Sequence, residues 1–145
     1  MIIRNMQPQD IEAVALLEQE CFSLPWSAQA LQESLEREDT LFLVAEMEDG
    51  QVGGYIGMYH SFGEGEITSV AVATACRKRG LGDALISAMQ TQAKDKNITL
   101  IFLEVRKSNE AALSLYNKKN FRIIGERKNF YEQPQEDAIL MSCDI

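Results

Sequence analysis

A chain of 145 residues with a formal charge of −8, 46% hydrophobic and 25% charged, has the size and composition of one globular domain with its own core, which sets aside disordered and collagen-like classes. The acidic balance argues against general binding to nucleic acid, whose affinity needs Lys and Arg against phosphates, and no apolar run approaches the roughly 18–20 residues that span a bilayer. Met1-Ile2-Ile3-Arg4-Asn5 lacks the basic-then-apolar order of a secretory leader, and Cys21, Cys76 and Cys143 have no metal-ligand spacing, so a cytoplasmic protein with reduced thiols and no metal is expected.

Ile2 to Asn5 is a short strand candidate. Pro8 and Asp10 open a helix on which Ile11, Val14, Leu17 and Cys21 recur at helical spacing. Leu24-Pro25-Trp26 breaks it, and Ser27 caps a second helix carrying Leu31 and Leu35. Leu41–Met47 and Val52–Tyr59 read as a hairpin around Glu48-Asp49-Gly50. Phe62-Gly63-Glu64-Gly65 makes a further turn before a strand from Glu66 to Val72. A basic, glycine-containing loop follows and leads into a helix from about Leu81 to Lys94, with Leu81, Leu85, Ala88 and Met89 on one face. Thr99–Val105 is nearly all apolar, the pattern of a central strand covered on both faces. Ser108-Asn109 can cap a helix running to about Lys119, and Phe121–Glu126 with Asp137–Cys143 form a final antiparallel pair. The order βααβββαβαββ predicts one α/β domain over residues 1–145, built on a mixed, mostly antiparallel sheet flanked by helices.

Chemistry concentrates at Ser69-Val70-Ala71-Val72 and the following Arg77-Lys78-Arg79-Gly80-Leu81-Gly82, the densest basic run of an acidic chain. A strand runs there into a glycine loop at the start of a helix. The first helical turn offers unpaired N–H groups and a partial positive charge, suited to a pyrophosphate, and glycine allows close approach to the backbone. A plain strand-to-helix turn would use the same glycines, so the spacing by itself leaves both readings open. No G-x-x-x-x-G-K-[ST] sequence occurs, and Leu85 stands where a dinucleotide-binding loop needs its third glycine.

Arg77-x-x-Gly80-x-Gly82 matches the [QR]-x-x-G-x-[GA] motif of the GCN5-related N-acetyltransferase (GNAT) family, in that family's strand–loop–helix context. Leu103–Asn109 and Ala111–Tyr116 resemble the family's second half. Arg127-Lys128-Asn129-Phe130-Tyr131 and Glu136–Met141 look like its RimI-type branch, which acetylates ribosomal-protein alanine, and related N-terminal acetyltransferases. The likeness covers nearly the whole chain and is strongest from Ile67 to Tyr116.

The resemblance implies acetyl-CoA as donor, with no metal. It implies that the Val70-Ala71-Val72 backbone holds the acetyl and pantetheine end, and that N–H groups from Lys78 through Arg79, Gly80, Leu81 and Gly82 to Asp83 cradle the pyrophosphate. Asn109 would contact the coenzyme, Glu104 would act as general base and Tyr116 as general acid. The residues read for themselves allow other roles: a strand-terminal glutamate, a tyrosine on an apolar helix face, a capping asparagine. His60 ends a strand and has no matched role. Where the family has glycine after the penultimate helix, Lys119-Asn120-Phe121 stands here, and Asn120 can take the left-handed cap position. The acceptor implied is a protein N-terminal amine, that of a ribosomal protein first; a small amine, a lysine, or a non-catalytic acetyl-CoA-binding module are the alternatives. Neither nucleic acid nor membrane is an expected partner, and the sequence is silent on oligomeric state.

Overall fold

Leu41, Leu43 and Ala45 belong to one hydrophobic cluster, and Phe42 and Val44 to another. Successive strand residues point to opposite faces, so this alternation requires a sheet covered on both sides. The computed structural model describes residues 1–145 and has that architecture. Seven strands, β1 (Ile2–Asn5), β2 (Thr40–Glu46), β3 (Val52–Ser61), β4 (Glu64–Val72), β5 (Leu100–Arg106), β6 (Arg122–Glu132) and β7 (Gln135–Asp144), form one sheet in the spatial order 1-2-3-4-5-7-6. Every neighbouring pair is antiparallel except β4 and β5.

Four helices connect them: α1 (Ile11–Cys21), α2 (Ala28–Leu35), α3 (Leu81–Asp95) and α4 (Glu110–Lys118). On one face, Leu81, Leu85, Ile86 and Met89 of α3 pack with Leu43, Ile56, Ile101 and Leu103. On the other, Ile11, Val14 and Leu17 of α1 and Leu31 of α2 pack with Phe42, Val44 and Tyr55. Ser27 caps α2 by accepting the Ala30 N–H at 3.1 Å. Asn120, at φ 73°, takes the left-handed position after α4, where the Phe121 N–H bonds back to the Tyr116 carbonyl at 2.9 Å. No helix is long and apolar enough to cross a membrane.

Three expectations are corrected. The β3–β4 turn is Phe62-Gly63 alone, with φ of 50° and 79°, so β3 extends to Ser61 and β4 starts at Glu64. A left-handed pair matches the twist of a tight hairpin, which the polar Glu64 conceals in the sequence. β6 continues through Asn129-Phe130-Tyr131 to Glu132, irregularly paired with β7 between Arg127 and Tyr131. β5 is not covered on both faces. Ile101, Leu103 and Val105 are buried, but Phe102, Glu104 and Arg106 on the opposite face are only half-buried.

That half-open face follows from how β4 meets β5. The two strands pair only at Glu64–Leu100, Gly65–Ile101 and Glu66–Phe102. On its far side β4 carries a bulge: Met58 of β3 pairs with Ile67, and Gly57 with Ser69, leaving Thr68 as the extra residue. A bulge bends its strand and increases local twist. Beyond it, Ser69–Val72 stays with β3 while Leu103–Arg106 stays with β7, and the strands part around an open gap.

Candidate active site

The gap has a backbone edge on the β4 side. The Ala73 N–H bonds the Gly53 carbonyl at 2.8 Å, and Ala71 pairs with Tyr55. Antiparallel pairing turns alternate residues toward and away from the partner, so the peptide groups of Val70 and Val72 face the gap, where β5 no longer pairs with them. The Val72 carbonyl is taken up locally: the Arg77 Nε–H donates to it at 3.3 Å, and the Cys21 thiol lies at 3.5 Å. Arg77 thus folds back onto the end of β4, while Lys78 and Arg79 stay exposed.

The loop that follows turns through two left-handed residues, Lys78 at φ 62° and Gly80 at φ 79°. Gly80 is the N-cap of α3 and supplies no side chain to cap it. The first intrahelical bond runs from Ala84 to the Gly80 carbonyl, so the N–H groups of Leu81, Gly82 and Asp83 have no partner within the helix. The two glycines serve different ends. A side chain at Gly80 would meet nothing within 4 Å, so its requirement is conformational, whereas a Cβ on Gly82 would lie 3.0 Å from Leu115, where α3 packs on α4.

Asp83 places a carboxylate in this first turn, but Lys119 at 2.8 Å and Lys118 at 3.2 Å draw it toward the end of α4. The hydrogen bonds from Lys119 and Lys118 hold its pKa below the ordinary aspartate range. A bare strand edge leading to an uncapped helix N-terminus flanked by exposed cations fits an extended ligand with an anionic pyrophosphate.

Across the gap, Glu104 stands on β5 with its side chain 13% exposed. Burial, and then the neighbouring Glu66 charge, push its carboxyl up from the ordinary glutamate value; the Arg127 guanidinium, 3.7 Å away, opposes them. Tyr116 of α4 is buried, its ring 5.8 Å from that of Phe121. Its hydroxyl is pushed up to about 12, by burial first and by Tyr131 second. Tyr131 is raised to about 12 as well, by burial and then by Glu104, while the Arg106 guanidinium stacks 4.4 Å from its ring. Glu104 and Tyr116, from different elements, are thus each linked electrostatically to Tyr131.

Asn109 caps α4, its side-chain oxygen accepting the Ala112 N–H at 3.1 Å, and its amide NH2 remains available. His60 lies away from the gap, with its Nε2 buried and unpartnered. Sequence reading missed Glu66, because the parallel register that sets it beside Phe102 cannot be read from its own strand. The expected strand Phe121–Glu126 also stops short of Tyr131, which lies on β6 with its ring under Arg106 of β5.

Residues 11–121 match the family model for the acetyltransferase (GNAT) family. The chain is 31% identical over 146 residues to the ribosomal protein bS18-alanine N-acetyltransferase of Haemophilus influenzae, covering 98% of this chain and 97% of that one. It is 30% identical over 156 residues to an N-alpha-acetyltransferase of Sulfurisphaera tokodaii, at 99% and 92% coverage. The crystal structure of the Escherichia coli ribosomal-protein-S18-alanine N-acetyltransferase superposes with a TM-score of 0.90 at 27% identity, over 99% of this chain and 93% of that one. With three-quarters of its length inside the family model and the relatives matched almost end to end, the chain belongs to the GNAT family of N-acetyltransferases.

Proposed function

We propose that this chain transfers an acetyl group from acetyl-CoA to the α-amine of a protein N-terminus, with the alanine of ribosomal protein bS18 as the first acceptor to test. The observation that carries this reading is the gap between the bare edge of β4 beyond Ser69 and the half-buried Glu104 on the parting strand β5. Attack of an amine on a thioester needs three things: a proton taken from the amine, an oxyanion stabilised, and a proton given to the leaving thiolate. Glu104, half-buried and less acidic than an ordinary glutamate, takes the first proton directly or through a water. A backbone N–H of Val70 or Val72 faces the gap and donates to the developing oxyanion. Tyr116, kept protonated by burial, supplies the proton to sulfur. Lys78, Arg79 and the free N–H groups from Leu81 to Asp83 hold the pyrophosphate, and the Asn109 amide contacts the coenzyme.

An α-amine titrates near 8 and a lysine ammonium near 10.4, so deprotonating lysine costs about 3 kcal/mol more. A single carboxylate base serves the α-amine more readily. The relatives named for bS18 alanine and for N-alpha acetylation point the same way. The test offers the protein acetyl-CoA with two peptides, one beginning with Ala and one with a blocked N-terminus and an internal lysine, and reads added acetyl groups by mass spectrometry. Transfer to the free α-amine alone, lost in Glu104→Gln, is expected. Transfer to lysine alone would overturn the acceptor assignment, and full activity in Glu104→Gln would overturn the base.

A further inference from the structure

Glu104 does not stand alone in the gap. Glu66 pairs in register with Phe102, and Glu104 lies two residues farther along β5, roughly 6.6 Å on, on the face Phe102 shares. From the other side, Arg127 of β6 reaches over: its Nε lies 3.7 Å from a Glu104 oxygen, and its guanidinium carbon lies 6.0 Å from the Phe130 ring centre. The Arg127 side chain is 54% exposed, so it can move without disturbing the core. Nothing in the three-step chemistry requires a cation beside the base, or a second carboxylate.

We propose that Arg127 and Glu66 are positioning residues that bracket the Glu104 carboxylate and together set the pH range in which Glu104 accepts the acceptor's proton. This rests on Glu104 being the base. The remaining charged and titratable groups around Glu104 are few. Tyr131 faces it from β6, and Arg106 lies farther along β5, tied to Glu136 of β7 at 3.2 Å and stacked on Tyr131. Tyr116 of α4 neighbours Tyr131, and directly across from Glu104 β7 presents the apolar Leu140. Arg106 is committed to Glu136, so the cation facing Glu104 is Arg127. Two opposite charges acting on one carboxylate have opposite effects when removed. Without Arg127, Glu104 holds its proton to higher pH; without Glu66, it releases the proton at lower pH.

The experiment compares Arg127→Gln, Arg127→Lys and Glu66→Gln with the unaltered protein, using the Ala peptide and acetyl-CoA. The ratio of variant to parent kcat/KM is followed from pH 5 to 8, because ionisation of the acceptor amine is common to both and cancels in the ratio. For Arg127→Gln the ratio should fall about two- to threefold toward low pH, and for Glu66→Gln it should rise by a similar factor, the size set by a half-exposed ion pair. Arg127→Lys keeps the cation and should give a nearly flat ratio. Carbon-13 NMR of the glutamate carboxyls follows Glu104 directly, its resonance assigned by loss in Glu104→Gln, and its midpoint should move up in Arg127→Gln and down in Glu66→Gln. A purely structural role would lower activity equally at every pH. Flat ratios, or midpoints moving in the same direction, overturn the inference even where Glu104→Gln is inactive. Full activity in Glu104→Gln overturns the underlying base assignment instead.

Discussion

Tyr55→Phe is the most informative single change away from the gap. Glu18 of α1 is 1% exposed and carries a carboxylate in the middle of the α1–α2 core. It is tolerated there because one oxygen accepts the Tyr55 hydroxyl at 2.6 Å and the other the Trp26 N–H at 2.9 Å. Phenylalanine keeps the ring and its stacking on Phe42, 6.5 Å away, so the change isolates the hydroxyl. It leaves one carboxylate oxygen without a donor where water does not reach, at a cost of about 2–3 kcal/mol for a charge-assisted bond. A 145-residue chain unfolds with an entropy of about 0.3 kcal/mol per kelvin, so the midpoint should drop by about 7–10 °C. Circular dichroism melts at pH 7 measure this. In a Glu18→Leu background the same hydroxyl has no carboxylate to serve, and removing it should cost about 1 kcal/mol less or better. A loss below about 2 °C in the parent, or equal losses in both backgrounds, would refute the reasoning. The same carboxylate fixes the start of α2 through Trp26, so Tyr55→Phe should also raise KM for a peptide acceptor if the α1–α2 turn borders it.

The other predictions address the loop, the acid limit and the proton donor. Gly80→Ala puts a Cβ into open space at φ 79°, so its cost is conformational, about 1–2 kcal/mol, and Gly80→Asn should recover part of it in the same melts. Both substitutions should weaken acetyl-CoA binding by calorimetry if the loop shape holds the pyrophosphate. Asp10 is buried and bonded by Arg4 at 2.8 and 3.0 Å, which with the Gln7 N–H keeps its pKa below the ordinary aspartate value against the pull of burial. A folded-state value lowered in this way stabilises the protein fully above the unfolded value of about 3.9 and is lost as pH falls through the lower folded one. Urea titrations should therefore show the stability gap between the parent and Asp10→Asn constant above about pH 5 and shrinking below about pH 4. Tyr116→Phe should lower kcat by about a hundredfold while leaving KM for acetyl-CoA within about twofold, and an unchanged kcat would remove Tyr116 from proton transfer.

Much of the fold was legible because its signals are local. Ser27 and Asn109 announce helix starts by chemistry that acts three residues away, and both caps are formed. Apolar spacing found α1 and α3, and the polar–apolar register found the strands. What stayed hidden depends on partners distant in sequence. The resemblance named Glu104 and Tyr116, but Tyr131, which is linked electrostatically to both, lies on β6 because that strand continues past Arg127 to Glu132, through a break in pairing that residue type does not reveal. Gly82 looked like a residue for ligand approach, and its closest constraint is Leu115, 33 positions later in the chain.

Glu66 shows most sharply why the rest could not be read. Counting back from Val72 with a strict period of two puts Val72, Val70, Thr68 and Glu66 on one face, and Ala71, Ser69 and Ile67 on the other. Val70 and Val72 pack against the α3 core, so an unbroken strand would drive the Glu66 carboxylate into that core. Ile67 belongs to the α3 core instead, while Ala71 lies in the α1–α2 core, so the alternation slips by one between Ile67 and Ser69. The exposed Thr68 bulge takes up that slip, and everything before it in β4 changes face. Ile67 goes under α3 and Glu66 turns to the face occupied by Phe102 and Glu104. One inserted residue thus accounts both for β4 bending away from β5, which opens the gap, and for a second carboxylate beside the first, which acts on Glu104 there.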